Sequence, residues 1–359
     1  MAARWNLCRR NSMVNFELRR DRILLRFGDK KTEWVIEPRY WRNPTIAITF
    51  LFVLPLFVQL WPNILTMITT ANLYAAIAIP LALQMLGTAR VNFGPQLYLG
   101  LGGYTAALLN LHWGWTPGET FVAVIIVCSA VALLLSPTTW IAKGLYFSLI
   151  TLILPLTFLD VTYIWGDLFR GEVGLTGMSP LLTLPKVTWN YLAYYYLSLI
   201  LMLLYLLICD RIVRSRLGVN LAAINENEDV ARMMGVNVDR YKVFYYVFPS
   251  VLTGIVGWFI VHTFRTFAGV TYLPLEFMIK ILIIVLVGGR AFLYGAIPGA
   301  YLVSIIEDSL RSLGPINYFV FPLVLIALIV FLPRGEGLWG LYRKRRPRDY
   351  FPKLHVRRE

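Results

Sequence analysis

The chain has 359 residues, of which 58% are hydrophobic and only 15% are charged. A soluble domain carries about 25% charged residues, and the apolar residues here form long runs without a helical or alternating period. The composition therefore excludes a soluble globular protein. Lys and Arg exceed Asp and Glu to give a net charge of +14, and most of that excess lies at the two ends, where residues 1–44 hold 11 basic and 5 acidic residues and residues 334–359 hold 9 and 3.

Residues 1–44 are predicted to form a basic cytoplasmic extension. Two β-prone runs, 23–27 and 32–36, flank a glycine-containing turn, which favours a β-hairpin over 23–36. A hairpin alone is marginally stable, so it has to pack on another surface. Basic ends could bind nucleic acid, but the bias of Lys and Arg toward the cytoplasmic side of membrane spans explains them better. We expect membrane lipid and no nucleic acid as a partner.

The long apolar runs predict a polytopic all-α membrane helix bundle. A bilayer span needs ~20 mostly apolar residues, and backbone amides in lipid must be paired within a helix or a closed barrel. Barrel strands would be shorter and would alternate. The apolar region 45–333 is therefore divided into ten spans: 45–61, 64–87, 93–112, 119–137, 143–164, 189–209, 242–263, 275–289, 295–311 and 315–332.

An even number of spans places both basic termini on one side of the membrane, and the positive-inside rule makes that side the cytoplasm. The long polar loop 210–242 then lies on the same side, as does the basic tail 334–359. In this arrangement 29 of the 34 Lys and Arg residues are cytoplasmic and 4 are external, which agrees with the positive-inside rule. The predicted location is the cytoplasmic (inner) membrane, crossed several times.

Two glycine-rich stretches, 93–112 and 288–299, are candidates for broken or re-entrant helices. The first contains Gly100-Leu-Gly-Gly-Tyr104, and residues 287–300 hold four glycines and a proline. Discontinuous helices of this kind form transport sites in membranes. The interpretation that we favour for each stretch alone is close packing of helices through small residues.

Few ionisable residues lie within the predicted spans. Lys280 follows Glu276 by one helical turn, and Arg311 follows Glu307 in the same way. Charges inside a membrane are candidates for function. Near helix ends, however, such groups are commonly self-paired or reach toward the headgroups, and we favour that interpretation. The three cysteines and three histidines are scattered, without a spacing that predicts a disulfide framework or a metal site.

The loop 210–242 is the long polar stretch inside an otherwise apolar body. Over 219–235 it carries apolar residues with acids between them, which predicts a short amphipathic helix that docks in a groove of another protein. The alternative is an interfacial helix without a partner. The acidic centre 225–229 would be repelled by anionic lipid, so a protein partner is favoured. The apolar residues are Leu221, Ile224, Val230 and Met234.

Several nucleotide-binding and catalytic motifs are missing from the sequence. It contains no Gly-x4-Gly-Lys-Ser/Thr for nucleotide, no His-Glu-x-x-His and no Gly-x-Ser-x-Gly. We therefore predict no catalytic residues, no bound cofactor or metal, and a transport subunit in place of an enzyme. One alternative is an ion-coupled secondary transporter built around Lys280 and 288–299. A membrane enzyme is the other, but no nucleophile with a base is found.

Several segments resemble the permease subunits of branched-chain amino acid ABC importers. The match runs from about Asn72 to Leu341 and is most specific over 217–242, which is similar to that family's ATPase-coupling loop. Lys143-Gly-Leu-Tyr-Phe-Ser-Leu-Ile-Thr-Leu152 is similar to its Arg-Gly-x-Tyr-Phe-x-x-x-Thr-Leu segment. Further similar segments are Gly174-Leu-Thr-Gly177, the glycines at 288, 289, 295 and 299, and Phe331-Leu-Pro-Arg-Gly335.

The resemblance implies a subunit of an ATP-driven importer. Its expected partners are two cytoplasmic ATP-binding subunits that hold ATP and Mg, a second permease subunit, and an extracytoplasmic substrate-binding protein. The implied coupling-loop residues are Gly218, Ala222, Ala223, Glu226, Asn227, Glu228, Ala231 and Gly235. The residues implied for the translocation path are Asn92, Gln96, Tyr146, Thr151, Thr176, Gly177, Gly288 and Gly289.

The sequence departs from the family pattern at two places. Residues 92–99 read Asn-Phe-Gly-Pro-Gln-Leu-Tyr-Leu in place of Asn-Leu-Gly-His/Gln-Gly-Ala-Phe-Phe, and Arg290 stands where Leu or Ile is common. Both places could face the path. The solute is therefore left open between a branched-chain amino acid and another small solute such as urea or an amide.

Overall fold

The structure is a computed structural model. It describes residues 4–5, 14–19, 22–27, 33–36, 49–58, 61–88, 91–142, 144–289, 292–316, 320–324, 326–327 and 337. By its internal packing the chain divides into two units, Met1–Trp61 and Pro62–Glu359. The division predicted from the sequence, with boundaries after residues 44 and 333, stays a prediction.

The first unit contains an antiparallel sheet and one short helix. The strands are β1 (Arg4–Trp5), β2 (Val14–Arg19), β3 (Arg22–Phe27) and β4 (Glu33–Ile36), in the order β1-β2-β3-β4. In the pairing of β3 with β4, Ile23 lies opposite Ile36, so these two strands cover the segment for which a hairpin was predicted. Helix α1 (Thr49–Val58) is apolar, but it is shorter than the ~20 residues that a span needs.

The second unit is built mainly from helices. Prolines stand at the start of three of them, where the missing amide proton costs nothing and the fixed φ suits a helix. The helices are α2 (Pro62–Thr88), α3 (Pro95–Trp113), α4 (Pro117–Leu135), α5 (Thr138–Ile141), α6 (Leu145–Ile164), α7 (Gly166–Phe169), α8 (Val187–Arg214), α9 (Arg216–Glu226), α10 (Glu228–Met233), α11 (Val238–Phe264), α12 (Gly269–Tyr272), α13 (Leu275–Gly288) and α14 (Ala296–Leu310). A two-residue pairing joins β5 (Leu175–Thr176) to β6 (Thr266–Phe267).

Six segments among the described residues are long and apolar enough to cross a bilayer, which confirms a mostly helical, multi-pass bundle. They are Pro62–Leu86, Pro117–Ile141, Leu145–Ile164, Val187–Arg214, Val238–Phe264 and Gly269–Gly288. Four of the ten predicted spans are not among them. The spans 45–61, 93–112 and 295–311 correspond to α1, α3 and α14, and half of 315–332 lies outside the described residues. The count of ten and the cytoplasmic termini stay predictions.

Helix α3 packs against α11 and α4, and more than half of its residues are buried. Glycines allow the close approach. A Cβ added at Gly102 would lie 2.1 Å from the carbonyl oxygen of Gly254, and one added at Gly257 would lie 2.2 Å from that of Leu99. The helix is continuous from Pro95 to Trp113, so the break considered for 93–112 comes before it, at 91–94. The glycines here serve the packing that we favoured.

Helices α13 and α14 form an antiparallel pair whose turn also depends on glycine. A Cβ at Gly288 would lie 2.1 Å from the carbonyl oxygen of Gly295, and one at Gly299 would lie 2.3 Å from that of Ile284. The α-helical path stops at Gly288 and resumes at Ala296, after a 3-10 turn at Leu293–Gly295. The stretch 288–299 thus combines an interruption with tight packing.

An ion pair joins these two helices near their other ends. Lys280 Nζ lies 2.5 Å from Glu307 Oε1, and the rings of Tyr74, Phe277 and Phe321 surround the ammonium at 5.3 to 5.9 Å. The sequence spacing had suggested Glu276, one turn away, as the partner. Glu276 is exposed, and Lys280 instead pairs with an acid on the neighbouring helix.

Candidate functional site

The polar loop 210–242 folds into two short helices, where one amphipathic helix over 219–235 was predicted. Asn227 separates α9 from α10 with an extended backbone (φ −162°, ψ 114°). Its side-chain oxygen accepts hydrogen bonds from the backbone N–H groups of Asp229 and Val230 at 3.0 and 3.1 Å. Asparagine competes well as a helix N-cap, so it ends α9 and starts α10. The prediction of a single helix was wrong for this reason.

One side of the two helices anchors them to the second unit. Leu221, Ile224 and Ala231 are buried, and the last two pack with Val238 at the start of α11. Gly218 permits the first turn of α9 to meet the end of α8, because a Cβ there would lie 1.9 Å from the carbonyl oxygen of Val213. Helix α9 also contacts α2.

Gly235 closes α10. Its φ of +82° is in the left-handed region that favours glycine. Its N–H donates to Arg232 O at 3.0 Å, and the N–H of Val236 donates to Ala231 O at 3.1 Å. These two bonds satisfy the last carbonyls of the helix in the pattern of a Schellman cap. They fix the direction in which the chain enters α11.

The opposite side of α10 is apolar and exposed. Val230, Met233 and Met234 have 54%, 86% and 80% of their surface accessible, and Glu226 and Asp229 beside them are exposed as well. We call these five residues the docking surface. Of the four apolar residues named for the predicted amphipathic helix, Leu221 and Ile224 are buried, whereas Val230 and Met234 are exposed. Of the other residues predicted for this loop, Ala223 and Asn227 are exposed and Ala222 is half-buried.

Glu228 does not belong to that exposed surface. It makes an ion pair of 2.6 Å with Lys242 Nζ, and the Lys242 side chain is only 6% exposed. A second pair, Arg232 with Asp239 at 2.7 Å, joins the same two helices but remains in solvent, with both side chains 43% exposed or more. The acidic centre of the loop is thus divided between surface acids and one acid that holds a buried lysine.

Three of the residues predicted for the translocation path meet around segment 91–94, between α2 and α3. Asn92 donates to Gln84 Oε1 at 3.0 Å and accepts from the N–H of Gly94 at 2.8 Å. Thr151 Oγ1 accepts from the N–H of Phe93 at 3.1 Å. The Gln96 side chain donates to Leu273 O at 3.1 Å, while its Oε1 is buried with no hydrogen-bond partner among the described residues.

Two small cavities lie beside this segment, each large enough for about one water molecule. The first has a volume of about 20 Å³ and the second about 10 Å³. Asn92 borders both. The first is lined by Gln84, Asn92, Thr139, Phe147, Lys242, Tyr245 and Tyr246; the second is lined by Ile77, Leu81, Asn92, Phe93, Pro95, Gln96, Phe277, Met278, Ile281 and Leu282.

The remaining residues predicted for the path lie elsewhere. Tyr146 is 73% exposed on α6. Thr176 and Gly177 belong to the loop that pairs with β6, where Gly177 N–H donates to Arg265 O at 3.0 Å. Gly288 and Gly289 are at the end of α13, where Gly288 packs against Gly295. The structure therefore gathers Asn92, Gln96 and Thr151 and separates the others from them.

The sequence reasoning missed several polar residues inside apolar helices. Gln84 donates to Tyr245 O at 2.9 Å, and Asn72 joins Ser198 at 3.1 Å. His262, buried on α11, lies 3.0 Å from Thr120 Oγ1 and 2.8 Å from Ser179 O. A lone amide or imidazole within an apolar run was the available indication. In the part of the chain that the structure describes, no group of three or more His, Cys, Asp or Glu side chains could hold a metal ion.

The described helices and their apolar spans define a multi-pass membrane protein with a polar two-helix segment between two of its spans. Residues 63–333 match the model of a family described as branched-chain amino acid transport system / permease component. This chain belongs to that family, which confirms the resemblance seen in its motifs.

One relative is a protein of Methanocaldococcus jannaschii, described as the probable branched-chain amino acid transport permease protein LivH. It is 24% identical over 285 residues, which are 74% of this chain and 88% of the relative. No solved structure matches the chain.

Proposed function

We propose that this chain is the permease subunit of an ATP-driven importer, embedded in the cytoplasmic membrane with both termini inside. It forms half of a pathway for branched-chain amino acids or a related small solute, and a second permease subunit forms the other half. An extracytoplasmic binding protein delivers the solute. Two cytoplasmic ATP-binding subunits carry the ATP and Mg, and they bind to the docking surface. The family match and the name of the Methanocaldococcus relative support the cargo class.

The observation that carries this proposal is the docking surface itself. An apolar strip of Val230, Met233 and Met234 with acidic neighbours is exposed on a helix whose other side is firmly anchored. A helix lying on anionic lipid would carry Lys and Arg beside its apolar strip. Acids beside methionines suit a partner protein with a basic, apolar groove.

The anchored side supplies a route for mechanical coupling. Helix α9 contacts α2 and α8, and α10 contacts α9 and α11. A force applied to the docking surface would therefore act on three of the long apolar helices. Domain-scale switching in proteins uses rigid-body motion of this kind, in which small displacements at an interface move whole packed elements.

Reversing the surface acids is expected to remove the ATP-binding subunits. Glu226→Arg with Asp229→Arg would place two positive charges in a contact that now offers two negative ones, so we expect at least a tenfold loss of co-purified ATPase, about 1.4 kcal/mol or more. The measurement is a pull-down on the tagged chain, followed by ATP-dependent uptake in proteoliposomes.

The matched control is Glu172→Arg, which reverses an exposed acid in the loop between α7 and β5 and should leave co-purification unchanged. If the double variant keeps its ATPase and its uptake rate, or if uptake runs on an ion gradient without any ATPase, the proposed function is wrong.

The same proposal places the solute path at the break between α2 and α3. The amide groups of Asn92 and Gln96 supply polar contacts there, and the second cavity is otherwise walled by aliphatic and aromatic side chains. That combination suits a small solute with a polar head and a branched aliphatic side chain. Opening of the cavity is required for passage, because about 10 Å³ holds no amino acid.

Gln96→Met is expected to raise the KM for uptake by roughly tenfold, since it removes a buried carbonyl that is free to accept a bond from the solute. Methionine keeps a similar length, so the assembly should survive. The control is Tyr146→Phe, on a residue that the structure exposes on α6, and its KM should be unchanged. The KM values are measured from initial uptake rates over a range of solute concentrations. Equal KM values for Gln96→Met and the unmodified chain would show that Gln96 does not contact the solute.

A further inference from the structure

The ion pair between Glu228 and Lys242, in which the lysine is buried and the Glu228 side chain is 30% exposed, connects the docking surface with the interior of the second unit. Glu228 is the first residue of α10, the helix that carries most of the docking surface. Lys242 lies in the second turn of α11, is 6% exposed, and its other side borders the cavity of about 20 Å³. One side chain therefore touches both the exposed helix and the interior.

The cavity wall continues as a chain of hydrogen bonds to the start of α3. Tyr245, one turn after Lys242, accepts through its carbonyl from Gln84 Nε2 at 2.9 Å. Gln84 Oε1 accepts from Asn92 at 3.0 Å, and Asn92 accepts from the N–H of Gly94, the N-cap residue of α3, at 2.8 Å. Tyr245, Gln84 and Asn92 are all buried. The chain of contacts thus runs from α10 to the segment 91–94 without passing through solvent.

A buried lysine is expected to move together with its counter-ion, because a buried charge without a partner is strongly unfavourable. Separation of the pair would leave an ammonium group in a poorly hydrated cavity, which is far less favourable than moving the two charges together. Separating the exposed pair of Arg232 and Asp239 costs little free energy, because water solvates each charge once its partner is gone. Because Lys242 is buried, the pair of Glu228 and Lys242 resists separation more strongly than the pair of Arg232 and Asp239.

We propose that Glu228 and Lys242 form the mechanical link between the docking surface and the solute path, and that Lys242 is a positioning residue for the amides of Gln84 and Asn92. Displacement of α10 pulls Lys242, the first turns of α11 move with it, and the amide pair that closes segment 91–94 is released. This inference rests on the proposed function, and it names the residues through which the motion of the ATP-binding subunits reaches the path.

The test uses the complete reconstituted transporter and measures solute transported per ATP hydrolysed. Glu228→Gln and Lys242→Gln are each expected to lower that ratio at least tenfold while the ATP-binding subunits remain attached and hydrolyse ATP. The charge-swapped variant, Glu228→Lys with Lys242→Glu, restores an ion pair at the same place and is expected to recover a large part of the ratio. A residue that only stabilised the fold would change yield and melting temperature, but not this ratio.

The matched control is Asp239→Asn, which breaks the exposed pair between the same two helices and should keep the wild-type ratio. Glu228→Asp covers the case in which the glutamine variants do not fold, because it keeps the charge and shortens the side chain. We expect normal assembly and a lowered ratio for it.

Two results would overturn the inference and leave the proposed function intact. One is a wild-type ratio in Glu228→Gln, Lys242→Gln or a well-folded Glu228→Asp. The other is a charge swap that assembles yet stays as poorly coupled as the single variants. Failure of the unmodified chain to bind any ATP-binding subunit would instead overturn the proposed function, so the two failures are distinguishable.

Discussion

Replacing Gly257 with valine is expected to destabilise the second unit by about 3 kcal/mol, one of the largest effects available from a single substitution. The added Cβ would lie 2.2 Å from the carbonyl oxygen of Leu99 and 2.8 Å from the backbone nitrogen of Gly103. Both contacts are backbone atoms of α3, so no side chain can rotate away. Helices α3 and α11 must move apart, and the packing that surrounds them is lost. Thermal unfolding in detergent, followed by size-exclusion chromatography, is expected to show a midpoint lower by at least roughly 5 °C.

The matched control is Gly118→Val. Gly118 lies in the first turn of α4, is exposed, and a Cβ there would meet nothing within 4 Å. Both variants add the same volume to a glycine in a helix, and they share the cost in helix propensity. An equal midpoint for Gly257→Val and the unmodified chain would mean that α3 and α11 do not approach as closely as described here.

The class of fold could be predicted because its cause is local. Long apolar runs have to pair their backbone groups within a helix when they are in lipid, and that requires no knowledge of the neighbours. Gly102, in the stretch 100–104, could be interpreted as a packing residue, but its partner could not be identified from the sequence. Gly102 meets Gly254 from 152 positions away, and such pairings are set by the arrangement of the helices.

The helix boundary inside the polar loop could not be predicted, because several neighbouring residues are equally good helix caps. Residues 225–229 read Asn-Glu-Asn-Glu-Asp, and several of them can cap a helix. Apolar residues with acids between them over 219–235 indicate one helix, and only the observed cap at Asn227 shows that there are two. The sequence thus predicted a docking segment and could not say which residues face out.

The candidate path was likewise predicted only in part from the sequence. Asn92, Gln96 and Thr151 were proposed from a resemblance of motifs, and the structure brings them together because segment 91–94 lies against α6. Gln84 was missed, although an amide in an apolar span is itself an indication of a polar contact. Its partner carbonyl on Tyr245 is 161 positions away, which no spacing argument reaches.

Removing Glu307 alone is expected to be strongly destabilising, because it leaves a lysine between the helices without its counter-ion. Glu307→Leu would leave the Lys280 ammonium, 13% exposed, among the rings of Tyr74, Phe277 and Phe321. Breaking a buried pair in this way costs about 3–5 kcal/mol, and we expect the lower part of that range because the Glu307 side chain is 34% exposed and the rings attract the cation.

The double variant Lys280→Met with Glu307→Leu separates the cost of a lost partner from the value of the pair. Replacing both charges by apolar side chains removes the stranded ammonium, so its stability should return to within about 1 kcal/mol of the unmodified chain. Melting midpoints of the two single variants and the double variant form a cycle, in which a large coupling energy reports direct interaction. Glu276→Leu, one turn from Lys280 but exposed, is the control for loss of an acid on α13. Additive effects in the cycle would show that Lys280 and Glu307 do not interact across the α13–α14 interface. A loss from Glu276→Leu equal to that from Glu307→Leu would show that Lys280 depends on its sequence neighbour as well.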